Sequence, residues 1–140
     1  MCIRDRLFDG GRLHTGDLGF LDEDGALTVT GRISDLIIRG GKNIDPTAIE
    51  ARLQSLEWVE DVLAVGIDDD RLGQRVGVMM VVVAGSAEAQ ERDLAASLAA
   101  ETGQPIDDVA FVSTIPTNEL GKPIRAVPLS TFNKADIVEA

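Results

Sequence analysis

The sequence has little of what many catalytic and metal centres are built from: one cysteine and one histidine in 140 residues. With Cys2 alone, no internal disulfide framework and no cysteine-rich metal site can form. His14 has no second histidine or cysteine with which to complete a zinc tetrahedron. Positive charge is also scarce, with 13 basic residues against 24 acidic and a formal net charge of −11. Phosphate backbones bind basic surfaces, so a nucleic-acid partner is not expected. Long apolar runs are missing. The longest, Val76 to Ala84, is about half the ~20 residues that cross a bilayer as a helix, so no transmembrane segment is expected. The opening Met1 to Arg6 is basic but has no apolar stretch behind it, which is not the pattern of a secretory signal. The expectation is a cytoplasmic protein with no nucleic-acid partner and no transmembrane segment.

What is present is enough apolar content, 44% against 26% charged, for a soluble globular core. Asp22-Glu23-Asp24-Gly25 separates two short strand patterns, Leu18 to Leu21 and Ala26 to Thr30, and predicts a hairpin. A second hairpin is predicted for Leu36-Ile37-Ile38 and Asn43-Ile44 around Gly40-Gly41. Asp45-Pro46 then reads as an N-cap followed by proline at the first helical position. Ile49, Leu53 and Leu56 recur at helical spacing. Val62 to Ile67 and Val76 to Val83 read as buried strands joined by a polar segment, Asp68 to Arg75. Ser86 is expected to cap a second helix running to about Glu101, with Leu94 and Leu98 in the core and Gly103 as its stop. Val109 to Ile115 reads as a third core strand, Pro116 to Gly121 as a turn-rich, mobile loop, and the tail from Pro128 is weakly determined. This order predicts a small α+β domain with helices packed on an antiparallel or mixed sheet.

Four clusters carry chemistry, and each has a plain structural alternative. Thr15-Gly16-Asp17 sets a carboxylate in a tight turn, where it accepts hydrogen bonds from a diol such as a ribose or simply shapes the turn. Gly31-Arg32 puts a guanidinium at a strand end, for a ribose or phosphate oxygen or for a surface ion pair. Arg39-Gly40-Gly41-Lys42 is a cationic tip whose glycines permit close backbone approach to a ligand, but Gly-Gly is equally an ordinary hairpin turn. Asn118-Glu119-Leu120-Gly121-Lys122 offers a lysine on a loop, and exposed lysines are usually just solvated.

Taken together and in order, these blocks are specific. Thr15-Gly16-Asp17, Gly31-Arg32-Ile33-Ser34-Asp35-Leu36-Ile37, Gly40-Gly41-Lys42-Asn43-Ile44, Ile49-Glu50 and Gly121-Lys122-Pro123-Ile124-Arg125 resemble the carboxyl-terminal part of the adenylate-forming superfamily, and most of all its acyl-CoA synthetases. The resemblance runs from about Leu7 to Ala126. It implies an ATP-dependent acid–thiol ligase that makes acyl-AMP and then acyl-CoA. It also implies that Asp17 and Arg32 contact the nucleotide and that Ser34 is a hinge, although many relatives carry aspartate or lysine there. Gly40, Gly41 and Lys42 would line the channel for the thiol arm, and Lys122 would enter the active site during adenylation.

The same resemblance implies ATP and CoA as substrates, a carboxylic acid as the third, and magnesium bound through a large amino-terminal domain that these residues do not include. The expected division is residues 1–6 as a non-native scar or tail, 7–33 as the last edge of the nucleotide-binding domain, and 34–140 as the lid. On this reading the fragment alone is inactive. Two alternatives stand beside it: the lid of a carrier-protein-loading adenylation domain, and a stand-alone non-catalytic binding module.

Overall fold

The computed structural model describes residues 8–86, 93–127 and 130–133, and the chain divides into two compact units, one ending at Asp35 and the other beginning at Leu36.

The first unit is made of two antiparallel hairpins. Strands β1 (Phe8–Asp9) and β2 (Arg12–Leu13) turn through Gly10-Gly11. Strands β3 (Asp17–Leu21) and β4 (Leu27–Arg32) form the hairpin expected around Asp22 to Gly25. Its turn is closed by Asp22, whose Oδ1 accepts the amides of Asp24 at 3.0 Å and Ala26 at 2.8 Å. Such local aspartate bonds are why this residue type begins turns. No described residue of this unit is buried, and Phe20, Leu21, Leu27 and Val29 are all more than half exposed. A short 3-10 turn, Ile33–Asp35, follows β4.

The second unit holds the core. Strands β5 (Ile37–Arg39) and β6 (Lys42–Ile44) pair through the Gly40-Gly41 turn, where φ is +56° and +80°. Two successive left-handed residues match the twist of a two-residue hairpin, and glycine adopts them without steric cost. Helix α1 (Pro46–Gln54) starts as its sequence dictates: the Asp45 side chain accepts the Thr47 amide at 3.0 Å and Pro46 fills the first helical position. Ile49 and Leu53 are buried on its inner face.

The long strands β7 (Val59–Asp69) and β8 (Gly73–Val82) pair antiparallel along nearly their whole length. Much of the stretch expected as a polar connector is therefore strand, because Asp68 and Asp69 continue the ladder opposite Gln74 and Gly73. The turn proper is pinned by Asp69, whose Oδ1 accepts the amides of Arg71 and Leu72. Strand β9 (Asp108–Phe111) runs parallel to β8, so the sheet is mixed, in the order β6-β5-β8-β7 with β9 also on β8. The third strand thus ends four residues earlier than its apolar pattern implies.

Alternation along β7 and β8 sends side chains to two separate clusters. Val62, Ala64, Val76, Val78 and Met80 pack with α1 and with helix α2 (Leu94–Thr102). Leu63, Val65, Ile67 and Met79 pack with Ala110 and with Phe132 of the short helix α3 (Ser130–Asn133). A sheet covered on both faces needs apolar residues at successive positions, which is why these strands read as continuous hydrophobic runs.

Helix α2 carries Leu94 and Leu98 into the core and stops at Gly103, with φ +68°, as expected. Its start differs from expectation: the helix begins at Leu94, and the Ser86 hydroxyl donates to the carbonyl of Val83 instead of capping it. Residues 87–92, which the expected helix crosses, lie outside the described residues, as do residues 1–6, where a scar or tail was expected. Among the described residues no helix is long and apolar enough to cross a membrane.

Candidate functional site

The lysine-bearing loop, expected to be rich in turns, is a hydrogen-bonded hairpin. Asn118 organises it: its Oδ1 accepts the amides of Leu120 at 2.9 Å and Lys122 at 3.0 Å, while its own amide donates to the Lys122 carbonyl at 2.8 Å. Gly121, at φ +80°, donates to the Asn118 carbonyl. Below the tip Thr117 and Pro123 form an isolated antiparallel bridge, and the Ile124 amide donates to the Pro116 carbonyl at 2.9 Å. Lys122 is exposed, and among the described residues it makes no ion pair. The backbone is thus fixed while the ammonium group is free to meet an anion.

The base of this hairpin is locked to the core by Arg125. Its guanidinium forms a bidentate pair with Glu50 of α1 and donates to the Ala64 carbonyl at 2.8 Å, while Glu50 Oε1 accepts the Ala64 amide at 2.9 Å. Strand β7 is at the edge of the sheet. Its outward amide and carbonyl at Ala64 would otherwise be unpaired, and the two side chains satisfy both.

The Gly40-Gly41 tip has its own anchor. Arg39 donates Nε and a terminal nitrogen to the two carboxylate oxygens of Asp107, at 2.9 and 2.8 Å. The same carboxylate accepts the Val76 amide at 2.8 Å, and the Asp107 amide donates to the Val76 carbonyl at 2.9 Å. The Gly40 amide donates to the Leu72 carbonyl at 2.8 Å. Arg39, read from the sequence as part of a cationic tip open to a ligand, is therefore committed to a structural pair. Lys42, on the other side of the glycines, remains exposed.

The Arg39 guanidinium holds the Asp107 carboxyl below the usual aspartate range, against the opposing effect of burial, and the Val76 amide adds to the lowering. Asp107 in turn raises Arg39. The neighbouring groups are Arg75, in ion pairs with Asp69 and Asp108 at 3.3 Å each, and Asp108 itself, which burial pushes up. Since folded Asp107 binds its proton less tightly than unfolded Asp107, its contribution to stability is complete above the ordinary aspartate range. It is lost as pH falls through the lowered value. The two side chains retain 29% and 18% exposure, so the cost of breaking the pair falls below that of a fully buried one. Asp107→Asn is expected to destabilise the fold by about 1–3 kcal/mol at pH 7. The gap to the parent should narrow below about pH 4, and urea melts at pH 7 and pH 3 would check this. A constant gap would contradict the assigned charge pairing.

In the first unit the structure brings Asp17 and Arg32 together. They are register partners across β3 and β4, with Arg32 Nε 3.4 Å from Asp17 Oδ1. The surface ion pair, one of the two readings of Arg32 made from the sequence, is formed. The Thr15 hydroxyl oxygen lies 3.3 Å from the Asp17 amide and accepts from it. Ser34 sits exposed in the 3-10 turn after β4, whose first amide, that of Ile33, donates to the Gly16 carbonyl.

Asn118, Glu50, Arg125 and Asp107 were not assigned roles from the sequence. Glu50 and Arg125 stood inside the motif blocks, but a pair separated by 75 positions leaves no mark in a single sequence. The one available signal was Arg125 at the end of Gly-Lys-Pro-Ile-Arg, a cation just beyond a glycine-lysine turn. Among the described residues no group of three or more His, Cys, Asp or Glu side chains is placed to hold a metal ion.

A mixed five-stranded sheet with helices against both faces, an exposed lysine hairpin and a glycine hairpin define a small α+β domain. Residues 48–122, just over half of the chain, match the family model of the AMP-binding enzyme C-terminal domain, and the chain belongs to that family. Lys122 is the last residue of the matched stretch. A Bacillus cereus 2-succinylbenzoate–CoA ligase is 51% identical over 81 residues, 58% of this chain and 17% of that protein. The fold is similar to the o-succinylbenzoate CoA synthetase of Bacillus subtilis in complex with its acyl-adenylate intermediate. There the TM-score is 0.69 at 32% identity, over 86% of this chain and 25% of that one. It is also similar to ATP-bound MatB from Rhodopseudomonas palustris, with a TM-score of 0.71 at 27% identity over 85% of this chain and 24% of that one. The chain therefore spans a quarter or less of the length of these relatives.

Proposed function

We propose that this chain is the lid of a longer ATP-dependent acid–thiol ligase and delivers Lys122 to the first of its two half-reactions. The observation that carries the reading is an exposed lysine, without an ion pair among the described residues, on a hydrogen-bonded hairpin within a domain of the AMP-binding family. In the first step a carboxylate oxygen attacks the α-phosphorus of ATP, forming acyl-AMP and releasing pyrophosphate. Two anions approach each other there, and a positioned ammonium lowers the barrier by neutralising charge at the transferring phosphoryl. In the second step a thiolate attacks the acyl carbonyl and AMP departs. A turn of the lid about Ser34 would withdraw Lys122 and present Gly40, Gly41 and Lys42 to the thiol arm.

The thiol is assigned to CoA because the relatives are named as CoA ligases. Asp17 and Arg32 are assigned to the nucleotide. Arg32, already beside a carboxylate, would then orient Asp17 as well as contact the ligand. Residues 7–33 are assigned to the edge of the nucleotide-binding domain. Hairpins that expose Phe20, Leu21, Leu27 and Val29 and bury nothing are in the condition of strands that belong to a larger apolar surface. Magnesium, the adenine pocket and the acyl pocket are assigned to that larger domain.

ATP–pyrophosphate exchange tests the reading. The 140-residue chain alone is expected to give only background exchange with any carboxylic acid, whereas the full-length ligase should exchange and then consume CoA. Substantial acyl-AMP formation by the chain alone would overturn it.

A further inference from the structure

The two hairpins assigned to the two half-reactions are tied to the fold by different ion pairs that share no residue. On one side, only Pro123 and Ile124 separate Lys122 from Arg125. That short connection is stiffened by the fixed φ of proline, the Thr117–Pro123 bridge and the Ile124–Pro116 hydrogen bond. Arg125 is held in turn by Glu50, which sits on α1 next to the fully buried Ile49. On the other side, Arg39 directly precedes Gly40, and its partner Asp107 is fixed by hydrogen bonds to both backbone groups of Val76.

We propose that Glu50 and Asp107 are positioning residues with separate duties: Glu50, through Arg125, places Lys122 for acyl-adenylate formation, and Asp107, through Arg39, places the Gly40-Gly41 tip for thiol transfer. The assignment rests on the function proposed above. It is physically reasonable because catalysis by a charge or a channel wall depends on placement to a fraction of an ångström, and a displacement near 1 Å costs about 100-fold in rate. Neither acidic residue is near the tip it serves in sequence. Each acts through an arginine that leaves the tip itself unencumbered.

The experiment uses the full-length ligase carrying Glu50→Gln or Asp107→Asn, with Arg125→Lys and Arg39→Lys as a second variant at each clamp should the first not fold. The amide of Glu50→Gln still offers an oxygen to the Ala64 amide, so the change falls mainly on the hold over Arg125. Acyl-AMP formation is read by pyrophosphate exchange, and thiol transfer is read separately from supplied acyl-AMP. Glu50→Gln should slow adenylation by about 10- to 100-fold and leave thiol transfer near the parent rate, while Asp107→Asn should do the reverse. A merely structural role would depress both steps together. Equal losses in the two steps, or no loss in either, would overturn the assignment. If the unmutated ligase made no acyl-AMP, or if Lys122→Ala spared adenylation, the functional reading beneath would fail first and take the assignment with it. A working ligase with unsplit variants removes the assignment alone.

Discussion

Lys122→Ala in the full-length ligase is expected to slow acyl-AMP formation by about 100- to 1,000-fold, the usual loss when one preorganised electrostatic group is removed from a transition state. Thiol transfer from supplied acyl-AMP should be almost unaffected, because the proposed turn of the lid has withdrawn Lys122 from the site before that step. The asymmetry separates a catalytic lysine from a structural one. Lys122 is exposed and contributes only its backbone to the Asn118-organised hairpin, so alanine should leave the loop and the melting temperature intact. Stopped assays of each half-reaction decide the matter. A loss shared equally between the steps would mean that the lysine serves lid placement in general. Lys122→Arg is a useful companion. It keeps the charge but replaces a compact ammonium by a planar fork, so partial recovery of adenylation is expected.

Much of this arrangement was legible in the sequence because it depends on local chemistry. Asp45-Pro46 starts α1, Gly103 stops α2, Gly40-Gly41 makes a tight hairpin and Asp22 closes another, each through bonds that reach only a few residues. The candidate residues Asp17, Arg32, Gly40, Gly41 and Lys122 were found because they stand in blocks of consecutive motif residues. What escaped were long-range commitments. Arg39 read only as part of a cationic hairpin tip, since nothing in Arg-Gly-Gly-Lys reveals that Asp107 waits 68 positions away. The polar stretch Asp68 to Arg75 read as a connector, because the pairing of Asp69 with Gly73 and the arginine cluster that tolerates these carboxylates exist only after folding. Val112 to Ile115 carry an apolar pattern but fall outside β9. Val112 and Ile115 instead pack against the cluster around Phe132, so burial outlasted strand pairing there.

The largest effect on stability should come from Leu53→Ala. Leu53 and Ile49 are completely buried beneath α1, in the cluster that also takes Val62, Ala64 and Leu98. A helix of nine residues is too short to persist in water by itself, so α1 exists because this face is covered. Truncating leucine removes its transfer energy and leaves a cavity that close-packed neighbours only partly fill, for a loss of about 2–5 kcal/mol. The upper half of that range is expected, because Leu53 shares one close-packed cluster with Val78 and Met80, all of them fully buried, and these neighbours have little room to collapse. Leu120→Ala is the matched control: the same chemical change at a side chain that is 83% exposed should fall within about 0.5 kcal/mol of the parent. Urea denaturation of the two variants would check the contrast, with the midpoint moved and the slope unchanged for Leu53→Ala. A cost below about 1 kcal/mol would show that α1 is not held by this contact. The helix also carries Glu50, so its hold on the core bears on function. Loosening Leu53 should weaken the seat of the Glu50–Arg125 pair, so that near the melting transition adenylation declines before thiol transfer does.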